Sequence, residues 1–448
     1  MATRSRYGSV KFWQQLELVR TAFRAPDDSG RAAAARSSPG IEIAVARTPE
    51  GAPDYVYQSG VILVRAASAS LVADELGRAR HLGSTPIRPP VRDAADGVVM
   101  LDIGDRRVLE ALGHLDEVVG EGVAAPNHIL SICPVSMCPA DEPVPVPPGA
   151  PPDPGVGPAG AGRGTAIQVI DTGLVDDFLT GHDWLAGVSG AARLPHPAGV
   201  IPEYLGHGTF IAGVVRCMAP AADVHVANEL RLAGAITEMD LRDALKAVLA
   251  DGKAHGKLPD IISLSAGGTT RAGTRTGNRL PHLGLDDVIA DLRAQDGLVL
   301  VAAAGNDDNE EPFFPAAYAD GESVISVGAL AADRRHRACY SNYGDWVNVY
   351  APGTKLVNAF TSGSYTYLHA PMEECTSDAE TPPAGAAVEF TGMARWSGTS
   401  FATPLVAGLI ARRMTDTGET NARIAAKKLL AEDTQSHPEL GRVLLPPA

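Results

Sequence analysis

The chain has 448 residues, room for two to four domains and at least one large buried core. Its 38 Lys and Arg against 53 Asp and Glu leave a formal charge of −15, which excludes a nucleic-acid groove, since phosphate binding needs a basic footprint. Apolar residues at 45% and charged residues at 20% exclude wholesale disorder, and the absence of any run of about 18 apolar residues excludes a transmembrane helix.

Residues 1–50 read as a leader, partly disordered, with Arg4, Arg6, Lys11, Arg20, Arg24, Arg31 and Arg36 but no apolar segment after them. This is no secretory signal, so the expected location is cytoplasmic, with export by a non-standard route left open. Phe12-Trp13, Leu16 and Leu18-Val19 fit a short amphipathic helix, read as a frayed or locally packed leader rather than a docking or membrane-surface helix. Residues 51–133 alternate. Val56–Arg65 and Val98–Gly104 are strand-like, Ala69–Arg80 and Asp105–Leu115 carry helical apolar spacing, and Asn127–Ile132 supplies a last strand. That β-α-β-α-β order predicts a small α+β domain with helices on one sheet face.

From Pro134 to Gly164 nearly every second residue is Pro or Gly. Proline fixes φ and lacks a donor, so this segment is expected to be an extended, polyproline-like linker that joins no sheet interior. The five cysteines are too scattered for a disulfide scaffold, and Cys133-x4-Cys138 lacks the partners of a zinc site; the expectation is reduced thiols, with Cys217 and Cys339 as small core residues.

Residues 165–448 alternate strongly. Strands are predicted at Ala166–Asp171, Asp223–Asn228, Ile261–Ala266, Leu298–Gly305 and Ser323–Leu330, with helices at Asp240–Ala250 and Leu285–Ala294 among them. Short all-apolar strands alternating with amphipathic helices predict an α/β domain with a doubly wound, mostly parallel sheet, whose site gathers at the strands' carboxyl ends.

Three polar residues sit where such a sheet would expose them rigidly: Asp171 at the end of AIQVID, His207 in GHGTFIAG, and Ser400 in SGTSFATP. A serine hydroxyl needs an imidazole to take its proton, and the imidazole needs a carboxylate to fix its tautomer. Asn306, in VAAAGND, offers a side-chain amide at a strand end for an oxyanion, with the Ser400 N–H at a helix start as a second donor.

These motifs, in this order, resemble the subtilisin-like serine peptidases, the subtilase family, over about Thr165 to the C-terminus. The resemblance implies a serine endopeptidase working through an acyl-enzyme, with Asp171, His207 and Ser400 as the triad and Asn306 in the oxyanion hole. It implies that Ser265, Ala266 and Gly267 in ISLSAGG offer main-chain bonds to an extended peptide substrate. It also implies that the N-terminal unit is an intramolecular inhibitor or chaperone, with self-cleavage expected between about Leu130 and Gly164. The alternative is a catalytically silent module of the same fold that holds peptides. An aspartic-peptidase reading, pairing Asp171-Thr172-Gly173 with Asp28-Ser29-Gly30, is rejected because Asp28 follows no strand and such enzymes are mainly β.

Three departures follow from the same comparison. The connection VVRCMAPAADV is short where family members often carry a calcium loop, so no metal and no cofactor are expected. Thr354–Ser397 is long and acidic around Glu373, Glu374, Asp378 and Glu380, read as a surface excursion rather than a lid. In the family, the loop after the asparagine borders the pocket for the residue before the cut. Here it is Asp307-Asp308-Asn309-Glu310-Glu311, which implies a preference for Arg or Lys if one carboxylate points inward; a solvated turn is the reading preferred.

Overall fold

The N-terminal segments gather apolar residues at helical and alternating spacing, and these decide what they build. In the computed structural model, residues 5–24, 40–87, 97–132, 142–191, 199–230, 234–368 and 382–447 are described. The readings of Asp28-Ser29-Gly30, of Cys133-x4-Cys138 and of Glu373–Glu380 lie outside them, but the flanks of the last are no surface excursion: Leu356–Thr366 pairs with Ala387–Trp396, and Phe360, Tyr365, Phe390 and Trp396 enter the largest core.

The N-terminal unit runs α1 (Ser5–Arg24), β1 (Ile43–Arg47), β2 (Pro53–Arg65), α2 (Ala69–Arg78), β3 (Val98–Asp102), α3 (Val108–Val118) and β4 (Ala124–Ser131). Long β2 pairs antiparallel with β1, β3 and β4. Val72 and Leu76 of α2 and Ala111, Leu112 and Leu115 of α3 cover Ile62, Val64, Val99 and Leu101 on one sheet face. The leader is more ordered than its composition suggested. Phe12, Leu16, Val19 and Phe23 recur along one face of α1 and bury against Ile43, Ile129 and Ala235, and β1 falls inside the stretch read as leader.

The Pro/Gly segment is not a free connector over residues 142–164. Its β5 (Val144–Pro145) pairs with Ala394 and Arg395 at a sheet edge, Asp153 exchanges backbone bonds with Val357, Gly157 N–H donates to the Cys217 carbonyl and Gly162 N–H to Thr415 Oγ1. Proline withholds a donor but keeps its carbonyl, so edges and turns stay open to it. The segment is a strap bound along the larger unit.

That unit continues with β6 (Ala166–Asp171), β7 (Ser189–Gly190), α4 (His207–Met218), β8 (Asp223–Asn228), β9 (Ala235–Thr237), α5 (Glu238–His255), β10 (Ile261–Leu264), α6 (Leu283–Arg293) and β11 (Val299–Ala303). It ends with β12 (Val324–Leu330), β13 (Val349–Pro352), β14 (Leu356–Thr366), β15 (Ala387–Trp396), α7 (Thr399–Thr417), α8 (Ala422–Glu432), β16 (Gln435–His437) and β17 (Gly441–Val443). The main sheet has the order β16-β17-β13-β12-β11-β10-β6-β8-β7, parallel except for β16 against β17.

Its central strands β10, β11 and β12 are largely apolar because both faces are covered. Along β11, Val299 and Val301 face α4, α7 and α8, whereas Leu300 and Ala302 face α5 and α6. Helix α5 outruns its predicted span at both ends: Thr237 Oγ1 accepts the Asp240 N–H, and Gly256 turns left-handed at φ 70° to stop it. Cys339 is not a plain core residue but is disulfide-bonded, its partner outside the described residues, while Cys217 is buried and free. Among the described residues no helix is long and apolar enough to cross a membrane.

The second face of the N-terminal sheet docks on the larger unit. Leu63, Val98 and Ala125 pack on Met239 and Leu283, and Asn127 Oδ1 accepts the Met239 N–H in the first turn of α5.

Candidate active site

Asp171 ends β6, the strand between β10 and β8, at the carboxyl edge of the sheet. Its Oδ1 accepts the Thr172 N–H at 2.7 Å and His207 Nδ1–H at 2.9 Å. His207 opens α4. A Cβ on Gly208 would fall 2.4 Å from the Gly173 carbonyl oxygen, so glycine lets the helix start this close to the end of β6. Thr172 Oγ1 accepts the Gly208 N–H and ties the same two ends together. The imidazole is wedged against Trp396 and Phe401, each with its ring centre 5.3 Å away.

Ser400 lies in the first turn of α7, where Gly398 carries the chain in. Its Oγ is 3.4 Å from the Ser265 carbonyl, and Ser265 Oγ donates to the Ser400 carbonyl at 2.9 Å. Neighbouring Thr399 donates both its N–H and its hydroxyl to Asn306 Oδ1 at 2.9 Å. That fixes the amide's orientation and turns Nδ2 away. Asn306 Nδ2 and His207 Nε2 are both buried without a hydrogen-bond partner among the described residues. Buried polar atoms normally find partners, so a donor and a ring nitrogen left over beside a serine point to chemistry.

The carbonyl and amide of Gly267 exchange bonds with Ser131, at 2.9 and 3.1 Å, and on its other side β4 pairs with β9, Leu130 opposite Ile236. The end of β4 thus lies as an extended strand between Gly267 and β9. Ala266 turns its side chain into the core, leaving only its backbone for a peptide. The acidic turn is spent elsewhere: Asp308 pairs with Arg337 and Glu311 with Arg279, both at 2.9 Å.

Sequence reasoning missed several supports. Asn342 accepts the Asp307 N–H and donates to the Ala304 carbonyl, shaping the turn around Asn306. Thr399 had a signal in its place beside Ser400; Asn342 had none. Also unforeseen is a buried trio at the domain contact: His128 Nδ1 and His282 Nδ1 both donate to Glu238 Oε2, at 2.6 and 2.7 Å, and Gly284 N–H donates to Oε1. Burial pushes the pKa of His128 down to about 4, with the nearby His282 adding to the effect. Burial would raise that of Glu238, but the two imidazoles outweigh it and hold the carboxyl well below the usual range.

The trio has ligand-type atoms within metal-binding reach of one another. It does not fit a metal. An imidazole bound through Nδ1 donates its Nε2–H to an acceptor, whereas His128 Nε2 faces the Arg271 N–H, itself a donor, and His282 Nε2 has no acceptor among the described residues. The arrangement is a carboxylate satisfied by three N–H groups. Beside it, Arg271 makes a bidentate pair with buried Asp116, at 2.7 and 2.8 Å.

Comparison with known proteins finds a family and a fold. The family model described as "Subtilase family" matches residues 162–432. The chain is 32% identical over 260 residues to a thermophilic serine proteinase of Bacillus sp. (strain AK1), covering 55% of this chain and 51% of that protein. It is 27% identical over 276 residues to thermitase of Thermoactinomyces vulgaris, covering 59% of this chain and 80% of thermitase. The chain thus spans about half the length of the first of these relatives. Among solved structures, fervidolysin from Fervidobacterium pennivorans, a keratinolytic enzyme related to subtilisin, shares the fold with a TM-score of 0.52 at 18% identity, covering 87% of this chain and 60% of that one.

Proposed function

The chain belongs to the subtilase family, and on that premise we propose that it is a serine endopeptidase working through an acyl-enzyme. The observation that carries the proposal is the pair of unsatisfied buried atoms, His207 Nε2 and Asn306 Nδ2, on residues that pack on Phe401 and bond to Thr399, the two neighbours of Ser400 in the chain. In the proposed reaction Ser400 Oγ attacks the peptide carbonyl and its proton passes to His207 Nε2, while Asp171 holds Nδ1–H and stabilises the imidazolium. Asn306 Nδ2–H and the Ser400 N–H donate to the oxyanion. His207 then gives the proton to the leaving amine, and a water deprotonated by the same nitrogen releases the acyl group.

The N-terminal unit is read as an inhibitor built into the chain. Its β4 takes the place of an extended peptide beside Gly267, and α1 lies over the same groove, with Phe12, Gln15 and Leu16 lining a small cavity shared with Ser131, Gly267 and Gly268. The disulfide at Cys339 favours an oxidising compartment over the cytoplasm expected from the leader.

The test is intact mass and fluorophosphonate labelling of the wild type beside Ser400→Ala. Labelling of the wild type alone supports the peptidase, and a smaller intact mass in the wild type alone supports self-processing. Equal labelling of both proteins would overturn the role of Ser400. No labelling of either, even after limited proteolysis has removed the N-terminal unit, would favour the silent peptide-binding module.

A further inference from the structure

Strands β10 and β11 are parallel neighbours, paired from Ile261 with Val299 up to Leu264 with Ala302. Past that point the ladder stops, and the chains run on as two lips, Ser265–Gly267 and Ala303–Asn306. Both lips end at the nucleophile: the Ser265 carbonyl faces Ser400 Oγ, and Asn306 is anchored to Thr399. A peptide held antiparallel along Ser265–Gly267, as Ser131 is, brings the residue level with Ser265 to Ser400. Strand side chains alternate, so that residue's side chain enters the crevice between the lips.

The crevice already holds a ring. Phe313 is 1% exposed, yet neither of the two large cores includes it. A Cβ added to Gly267 would stand 2.5 Å from Phe313 Cε1, and one added to Gly305 would stand 3.0 Å from Phe313 Cγ. The ring thus touches both lips where each has no side chain. It is held there by its neighbour, since Phe314 exchanges backbone bonds with Gly268 at 2.9 Å in both directions. Pro315 follows Phe314, and the Phe313 carbonyl accepts the Ala317 N–H, so the segment is fixed on both sides.

We propose that Phe313 is a specificity-determining residue that fills the far end of this crevice, so that the enzyme cuts after small residues such as Gly, Ala, Ser or Cys. This rests on the peptidase reading above. A long apolar or basic side chain would have to displace a ring that is packed on main chain, and overpacking of that kind is strongly disfavoured. The carboxylates of Asp308 and Glu311, paired with arginines, offer no compensating attraction to Arg or Lys.

The test uses the full chain and peptide substrates identical except for the residue before the cut. Occlusion by β4 slows every substrate by the same factor, so the ratio of kcat/KM values is read. Wild type is expected to favour Ala over Phe, Leu or Arg by at least about tenfold, and Phe313→Gly to narrow or reverse the Ala-to-Phe ratio by a similar factor. Peptidyl chloromethyl ketones ending in Ala or Phe give a second reading of the same ratio, independent of turnover. A melting curve and fluorophosphonate labelling establish that the variant is folded; if it is not, Phe313→Leu replaces it, with a smaller shift in the same direction. A labelled wild type with equal or better rates after Phe, Leu or Arg overturns the selectivity alone, as does an unchanged ratio in a folded variant. A wild type that takes up no fluorophosphonate even after limited proteolysis has removed the N-terminal unit overturns the peptidase reading, and the selectivity with it.

Discussion

Acidification from about pH 7 to about pH 4 is expected to loosen the grip of the N-terminal unit on the groove, through His128. Docked, His128 is held neutral with its pKa brought from 6.5 down to about 4, chiefly by burial. That difference corresponds to roughly 3 kcal/mol, or about 300-fold, against the protonated docked state. The full contribution is present above 6.5. As the pH falls toward 4, a released strand takes up a proton that the docked strand refuses, and the contribution is lost. Glu238, held below the carboxylate range, adds a loss of the same sign below its ordinary value of 4.5. The groups facing the trio do not reverse this. Arg271 disfavours a charge on His128 and is itself paired with Asp116, Asp286 accepts from the Tyr318 hydroxyl, and Tyr55 and Phe314 present rings. Hydrogen exchange of the β4 amides, corrected for intrinsic pH dependence, should show protection falling by up to about 300-fold over that window. His128→Gln should flatten the fall above pH 4.5, leaving only the part due to Glu238. Protection unchanged between pH 7 and 4, or the same profile in His128→Gln, would refute the reasoning.

Two further outcomes are expected. Asn306→Ala keeps the fold and lowers kcat by about 100- to 1,000-fold with KM nearly unchanged, because the amide meets charge that exists only in the transition state; steady-state kinetics on a chromogenic peptide check it. Arg271→Ala leaves the buried Asp116 carboxylate without its cation, held only by the Thr274 N–H and hydroxyl, and costs up to about 3–5 kcal/mol of docking or stability, seen as a lower melting temperature and faster exchange in β4.

The placement of the candidate site residues was legible because it depends on local signals. Asp171, His207, Asn306 and Ser400 each lie at the end of a strand or the start of a helix that its own neighbours dictate, with Gly208 permitting the approach of His207 to Asp171. The boundaries of β6 and β8 were legible for the same reason: each is a short alternating run closed by a polar residue. What escaped was assembled across long sequence separations. No pattern around His128 announces Glu238 or His282, 110 and 154 positions on, and nothing local makes Phe313 a wall rather than a core residue. The Asp307–Glu311 turn is the solvated one preferred from its sequence, but Arg279 and Arg337, which pair with two of its charges, were not legible there. The Pro/Gly segment misled because composition counts the donors that proline lacks but not the Asp153, Gly157 and Gly162 N–H groups that fasten the segment.

That strap has a consequence for persistence. Residues 142–164 fasten to β15, β14, the end of α4 and the end of α7, pieces far apart in sequence. Fluctuations that let a protein be digested begin with one such piece lifting away, and here each must also shed its hold on the strap. Prolines along the strap reduce the disorder it regains on letting go, so detaching it brings little entropic return. Contacts of this kind, absent until folding is nearly complete, slow unfolding more than they speed folding. On the proposed peptidase reading, lifetime among active copies is set by how rarely a cuttable loop presents itself, and the strap makes that event rarer without touching the candidate site.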